Sequence, residues 1–197
     1  MADFEKFFAR LMIHEGGLSN NEFDKGGLTY KGIARNMDKH WVGWPKIESY
    51  RTHAEFPDIL EQDDELQRMV KDYYREAYWG KYDLDSASDV LAWEIFDICV
   101  NMGHGRTVRF MQQIFNSLNN NGTRWNNIAV DGGLGPITRS TWKKFKDECH
   151  NRNFDPDIVL ARLLNLKQGA FYFTIMENNE TQEEFAWGWF GRVISFT

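Results

Sequence analysis

Three side chains within a span of fifteen residues, Glu15, Asp24 and Thr29, have the types and spacing for acid chemistry on a glycosidic bond. Such cleavage takes one carboxylic acid that stays protonated and donates to the leaving oxygen, and usually a second that stays ionised. Burial against apolar surface keeps an acid protonated, because the charged form loses its hydration. Phe4, Phe7, Phe8, Leu11 and Met12 recur at i, i+3, i+4, i+7 and i+8, and at about 100° per residue Glu15 projects from the middle of that same helical face. Asp24 stands in a polar, glycine-rich stretch where it stays ionised and can hold or activate a water. Thr29, five residues on, offers a hydroxyl to the same water. The bland readings are a helix-end acid turned to solvent for Glu15 and a turn residue accepting backbone N–H bonds for Asp24. Two glycines after Glu15 let a substrate approach closely, which favours function there; for Asp24 and Thr29 the readings balance. His14, at the edge of the face, reads as a packed side chain.

The elements that must position these groups follow from periodicity and punctuation. Asp3 caps a first helix that Gly16-Gly17 end. Five of the sixteen glycines fall between residues 16 and 36, a tight loop region with a small hairpin over residues 17 to 31, before Ile33-Ala34-Arg35 resumes a helical pattern. Residues 40 to 57 are aromatic and loop-like. Leu66 to Tyr78 repeat the helical spacing until Gly80. Ser88 caps a helix that is apolar nearly all round from Val90 to Met102, and further helices run over 107–118, 136–150 and 155–173, with an aromatic segment 185–196 at the end. The chain reads as mainly α.

Within the apolar helix, Glu94, Asp97 and Asn101 recur at i, i+3 and i+7 as one polar stripe. Buried acids are costly unless paired, so Asp97 and Asn101 read first as holding a neighbouring loop, that after Glu15, with substrate contact as the alternative for both. Trp41, Trp44, Tyr78 and Trp79 have faces that suit sugar rings, although most aromatics of a helical protein are core. Asp131 to Thr138 reads as a loop ending in a helix with Pro136 at its first position.

Composition excludes several classes. Net charge is −6 with Lys and Arg scattered, which argues against nucleic acid; an acidic chain also gains nothing from the anionic charge of bacterial surfaces. Charges interrupt every window of membrane-spanning length, so no membrane insertion is expected. Met1-Ala2-Asp3-Phe4-Glu5-Lys6 lacks the basic-then-apolar pattern of a secretory signal. Cys99 and Cys149 make no disulfide framework, and Cys99 reads as a buried free thiol. No His pair has ligand spacing and neither Cys has an obvious His partner, so no metal and no cofactor are expected.

The run Glu15-Gly16-Gly17 to Asp24-Lys25-Gly26-Gly27-Leu28-Thr29-Tyr30-Lys31-Gly32-Ile33 resembles the signature of the glycoside hydrolase family 108 muramidases, Glu-Gly-Gly followed by Asp-x-Gly-Gly-x-Thr-x-x-Gly-Ile. Tyr78-Trp79, Phe96-Asp97 with Asn101-Met102-Gly103, Asp131-Gly132 with Gly135-Pro136 and Thr138, and Gly188-Trp189-Phe190 with Arg192-Val193 resemble later landmarks in the same order, so the resemblance spans nearly the whole chain. Leu18 and Asn21-Glu22 depart from it. The resemblance implies a lysozyme-like helical fold, and N-acetylmuramidase cleavage of the β-1,4 bond between N-acetylmuramic acid and N-acetylglucosamine with Glu15 as the acid. It implies a catalytic region over 1–103 and a peptidoglycan-binding region over 104–197, packed as one globular monomer. Asp24 and Thr29 complete the catalytic set, and Gly17, Gly27, Tyr30, Trp79 and Asn101 are the substrate-contact candidates. The partner implied is the peptidoglycan glycan strand. With no signal peptide, synthesis in the cytoplasm is expected, then action at the wall or periplasm after release by a membrane-hole (holin) partner or dedicated export. A non-catalytic wall-binding or secretion-assisting protein on the same fold is the rival reading.

Overall fold

The computed structural model describes residues 1–13, 15–20 and 27–196, with Asn20 described by its backbone alone. The chain divides into two compact units, Asp3–Asp83 and Leu84–Thr197 together with Met1–Ala2. As the sequence implies, it is mainly α and lysozyme-like, with one small sheet.

The N-terminal unit opens with α1, Phe4–Met12. Asp3 starts it as expected, its carboxylate accepting from the Glu5 N–H at 3.0 Å. The helix buries Phe4, Phe7 and Leu11 against Trp79, whose ring centroid lies 5.3 Å from Phe4 and 6.0 Å from Phe7. It ends at Met12, with the last residue of its apolar spacing and three residues before the end that Gly16-Gly17 suggests. Strand β1 (Leu18–Asn20) pairs antiparallel with β2 (Leu28–Tyr30), Leu18 opposite Tyr30, and that pairing takes the backbone out of the helix before Glu15. Sheet pairing likewise overrides the helical reading of Ile33 and Ala34. They form β3 (Ile33–Ala34), antiparallel to β2 with Tyr30 opposite Ile33. The two residues between, Lys31 at φ 44° and Gly32 at φ 76°, both lie in the left-handed region, as a type I′ hairpin turn requires.

Residues 43–49, within the stretch expected to be loop, form α2 (Gly43–Ser49), whose Trp44 and Ile47 are buried. Helix α3 (Asp64–Tyr74) follows, and continues as a five-residue π-helical turn, Arg75–Trp79. Asp63 caps α3, accepting from the Leu66 N–H at 3.0 Å, and its other oxygen takes the Tyr50 hydroxyl at 2.7 Å.

The C-terminal unit is built on α4 (Asp89–Met102) and α7 (Pro156–Asn178), packed on one another. Leu91, Ala92, Ile95, Phe96, Ile98 and Cys99 of α4 have no exposed surface, the all-round burial that its sequence predicts. Ser88 caps α4, and Asp155 caps α7 with bonds from the Asp157 and Ile158 N–H groups. Asp157 in turn accepts the Ser88 N–H at 2.8 Å, so the two helix starts are tied. Helices α5 (His104–Leu118) and α6 (Pro136–Asn151) pack around this pair. The Asp131 loop is structural. Gln112, almost wholly buried, bonds Asp131, the Gly133 carbonyl and Thr138, and Pro136 opens α6. Helix α8 (Ala186–Ile194) closes the chain. Asp97 holds it through an ion pair with Arg192 at 2.6 Å, and Trp189 stacks on Tyr172 at 5.0 Å. Asp97 also accepts from Gln168, so the polar stripe of α4 serves the α7–α8 packing. Both cysteines are buried and neither is in a disulfide. Among the described residues no helix is long and apolar enough to cross a membrane.

Candidate active site

The site is built where α1 runs out and the hairpin turns. Glu15 is partly buried in non-helical backbone, beyond the face of α1. Gly32 is the key neighbour. A Cβ placed on it would collide with the Tyr74 hydroxyl oxygen, and would fall 2.6 Å from Glu15 Oε2 and 3.2 Å from Glu15 Cδ. Glycine is therefore required twice at this position, for its positive φ and for the space that the carboxyl and the phenol fill.

Tyr74, at the end of α3, is 1% exposed. Its hydroxyl donates to the Lys31 carbonyl at 2.8 Å, the residue before Gly32. The ring lies against Phe8 of α1, 5.7 Å between centroids, and against Tyr78 at 5.5 Å. Burial, then the charge of Glu15, then Tyr78, push the Tyr74 hydroxyl far above the usual phenol range. A carboxyl group, a neutral phenol and an uncovered glycine thus meet at one point of the N-terminal unit.

A second cluster lies beside it. Lys31 Nζ pairs with Glu61 Oε2 at 2.7 Å. The Tyr30 hydroxyl has one hydrogen to share between Glu61 Oε1 at 3.3 Å and the Leu60 carbonyl at 3.2 Å, and accepts from Gln67 at 2.8 Å. Glu61 Oε1 also approaches within 3.8 Å of where a Cβ on Gly17 would stand. These bonds lock β2 and the hairpin turn to the segment before α3, and so fix the carbonyl that holds Tyr74.

The structure treats the expected site residues unequally. Glu15 comes together with Gly32 and Tyr74. Thr29 sits on the central strand opposite Ser19 and Ala34, its hydroxyl donating to the Gly27 carbonyl at 3.2 Å. Gly27, at φ 65°, carries the Asn36 amide where a Cβ would go, and Gly17 is exposed. Tyr30 and Trp79 have no exposed surface; their rings are core, and neither offers a stacking face. Trp41 and Trp44 are buried too, and only Tyr78 of the four candidate sugar-stacking rings is part-exposed. Asn101 belongs to the C-terminal unit, where its amide donates to the Asp97 carbonyl at 2.8 Å and to Asp97 Oδ1 at 3.3 Å. Asp24 and His14 lie outside the described residues. Tyr74, Gly32 and Glu61 escaped sequence reading: Tyr74 falls on the apolar spacing of α3 and reads as core, and nothing local links Glu61 to a hairpin thirty residues earlier. Among the described residues no group of three or more His, Cys, Asp or Glu is placed to hold a metal ion.

Comparison with known proteins bears on the same two regions. Residues 8–103 match the family described as Glycosyl hydrolase 108, and residues 106–194 match the family described as Predicted Peptidoglycan domain. No curated protein matches the chain. Among solved structures, that of Brucella abortus SagA is similar in fold, with a TM-score of 0.55 at 19% identity over 96% of this chain and 88% of that one.

Proposed function

From the premise that this chain belongs to the glycosyl hydrolase 108 family and is a glycoside hydrolase acting on peptidoglycan, we propose that it is an N-acetylmuramidase with Glu15 as its general acid. Glu15 protonates the oxygen between N-acetylmuramic acid and N-acetylglucosamine as the β-1,4 bond breaks. Asp24, with Thr29, handles water or stabilises the positive charge that develops on the sugar. Residues 1–103 carry the catalysis and 104–197 the wall contact.

The observation that carries this reading is the meeting of the Glu15 carboxyl with the buried Tyr74 hydroxyl over Gly32. A general acid for a glycosidic oxygen must be protonated near neutral pH and must still be reachable. Partial burial beside a neutral phenol favours the first, and a neighbour without a side chain leaves room for the second. Mass spectrometry of purified peptidoglycan after digestion tests the bond assignment. Soluble fragments ending in reducing N-acetylmuramic acid are expected. Reducing N-acetylglucosamine ends, anhydro ends or freed stem peptides would each contradict it, and binding without any soluble product would favour the wall-binding rival.

A further inference from the structure

We propose that a cavity in the C-terminal unit, lined by three arginines, is a binding site for a single-chain acyl carboxylate: a hydrocarbon chain in the hollow, its anionic head on the guanidinium groups. The inference is independent of the assignment of Glu15.

The cavity lies where α6 and α7 meet the end of α5, and its volume is about 450 Å³. Trp125 and Phe145, 5% and 1% exposed, form its floor, and the lining is almost wholly apolar. Both rings are held from behind. Trp125 Nε1 donates to the Phe115 carbonyl at 3.1 Å, and the Phe145 ring lies 5.3 Å from that of Phe115. The hollow is therefore set by the packing of the unit itself. Leu118 and Leu163 are shared with a second, smaller hollow of about 170 Å³ on the side of Lys167, so the two make one elongated apolar groove.

Shape and lining narrow the ligand. Small-molecule sites run to about 300–1,000 Å³, mostly apolar with a few polar groups that orient the ligand, and this cavity has that make-up. It does not suit a glycan, whose buried hydroxyls would each need a hydrogen-bond partner. An elongated groove takes a flexible chain better than a compact ring. A cavity of about 150 Å³ holds the six carbons of benzene, so this one admits a chain of about ten carbons with slack on its open side.

The head group follows from charge. Arg124, Arg152 and Arg162 line the cavity against a single acid, Glu148. One oxygen of that acid, Oε1, serves two of the cations, taking Arg124 Nε at 2.6 Å and Arg152 Nε at 2.7 Å. Arg152 bonds through Nε alone, and Arg162 has no ion pair or hydrogen bond among the described residues. The other acid close by, Asp155, accepts from the Asp157 and Ile158 N–H groups at the start of α7. Three cations thus stand against two acids even when Asp155 is counted. Guanidinium forks match carboxylate geometry, and the apolar floor beside them takes the tail. The net charge of −6 repels an anionic bilayer, which selects the dissolved amphiphile over a membrane surface.

Isothermal titration of the full chain with decanoate, below its micelle concentration, tests this. One saturable site is expected, with octanoate about tenfold weaker for its two missing methylenes. Decyltrimethylammonium, the same chain with the opposite charge, should show no saturable binding. Arg162→Glu is expected to weaken decanoate about tenfold, and Val159→Phe, which fills the cavity, to abolish binding. Methyl NMR shifts of Leu118, Val159 and Leu163 should move on titration while those of Leu11 and Leu66 stay. Absence of decanoate binding, uptake at many sites, equal binding of the cationic amphiphile, or unchanged affinity in Arg162→Glu would overturn the proposal. So would co-sedimentation with phosphatidylglycerol vesicles by a chain that ignores free decanoate. Should Val159→Phe fail to fold, Arg162→Glu, at an exposed position, and the chain-length series decide the matter.

Discussion

Glu15 in the N-terminal unit and Glu94 in the C-terminal unit are both acids withdrawn from solvent, but to different degrees and by different means. Glu94 lies on α4 at 3% exposure, and its Oε1 has no hydrogen-bond partner. Burial, and after it the neighbouring Asp97 charge, push it up to about 8; the adjacent Asn165 amide, whose nitrogen is also unsatisfied, offsets little of this. Glu15 is only partly buried, in irregular backbone, with the Tyr74 phenol and a bare glycine beside it. The comparison separates two properties that are easily merged. A perturbed carboxyl is a candidate for function, yet Glu94, strongly perturbed, is sealed inside a helix pair where no glycan can reach it. What distinguishes Glu15 is that it is only partly buried, with a bare glycine beside it.

That contrast can be broken most forcefully at Gly32. Gly32→Ala forces a Cβ against Tyr74 and Glu15 at a φ of 76°. A fall in activity of about a hundredfold is expected from displacement of the acid, with a stability loss of about 1–3 kcal/mol from strain. Denaturant unfolding and turnover on purified walls measure the two separately, and full activity would mean that the carboxyl does not occupy this space during catalysis.

At the other site, Asp97→Ala strands Arg192 and loosens α8. The pair is nearly buried on the Asp97 side and 26% exposed at Arg192, so a loss of about 2–3 kcal/mol is expected, below the range for fully buried pairs. Hydrogen exchange should rise over residues 186–194, and unchanged protection there would show that α8 is held by its aromatic contacts alone.

Glu94→Gln is the subtlest. Because the folded-state value is raised, the folded chain binds the proton more tightly than the unfolded one. Stability is therefore greatest below the ordinary glutamate value and declines as pH rises towards about 8. In Glu94→Gln that slope, on the order of 4 kcal/mol between pH 5 and pH 9 in the parent, should largely vanish, while wall hydrolysis persists. A parent chain equally stable at both pH values would contradict it.

Much of this was legible in the sequence where one local rule acts alone. Asp3, Ser88 and Asp155 mark helix starts because a cap is a contact with the next turn, and α4 reads as buried because it is apolar on every side. The misreadings share one cause. Ile33 and Ala34 have helix-compatible neighbours, but strand pairing claims them across a Lys31-Gly32 turn that lacks the usual Asn-Gly or Asp-Gly signal. The same pairing ends α1 before Glu15. The candidate acid is thus picked out by its motif and spacing, although its environment is not. Gly32 and Tyr74 create that environment, the latter from nearly sixty residues away on a face where periodicity says only that a ring is inside.

The most direct measurement compares Glu15→Gln with Glu94→Gln on purified peptidoglycan, following release of reducing N-acetylmuramic acid ends, with folding of both checked by circular dichroism. Loss of activity by about a thousandfold in Glu15→Gln alone is expected. Near-parent activity in folded Glu15→Gln, or an equal loss in Glu94→Gln, would contradict the assignment of Glu15 as the acid.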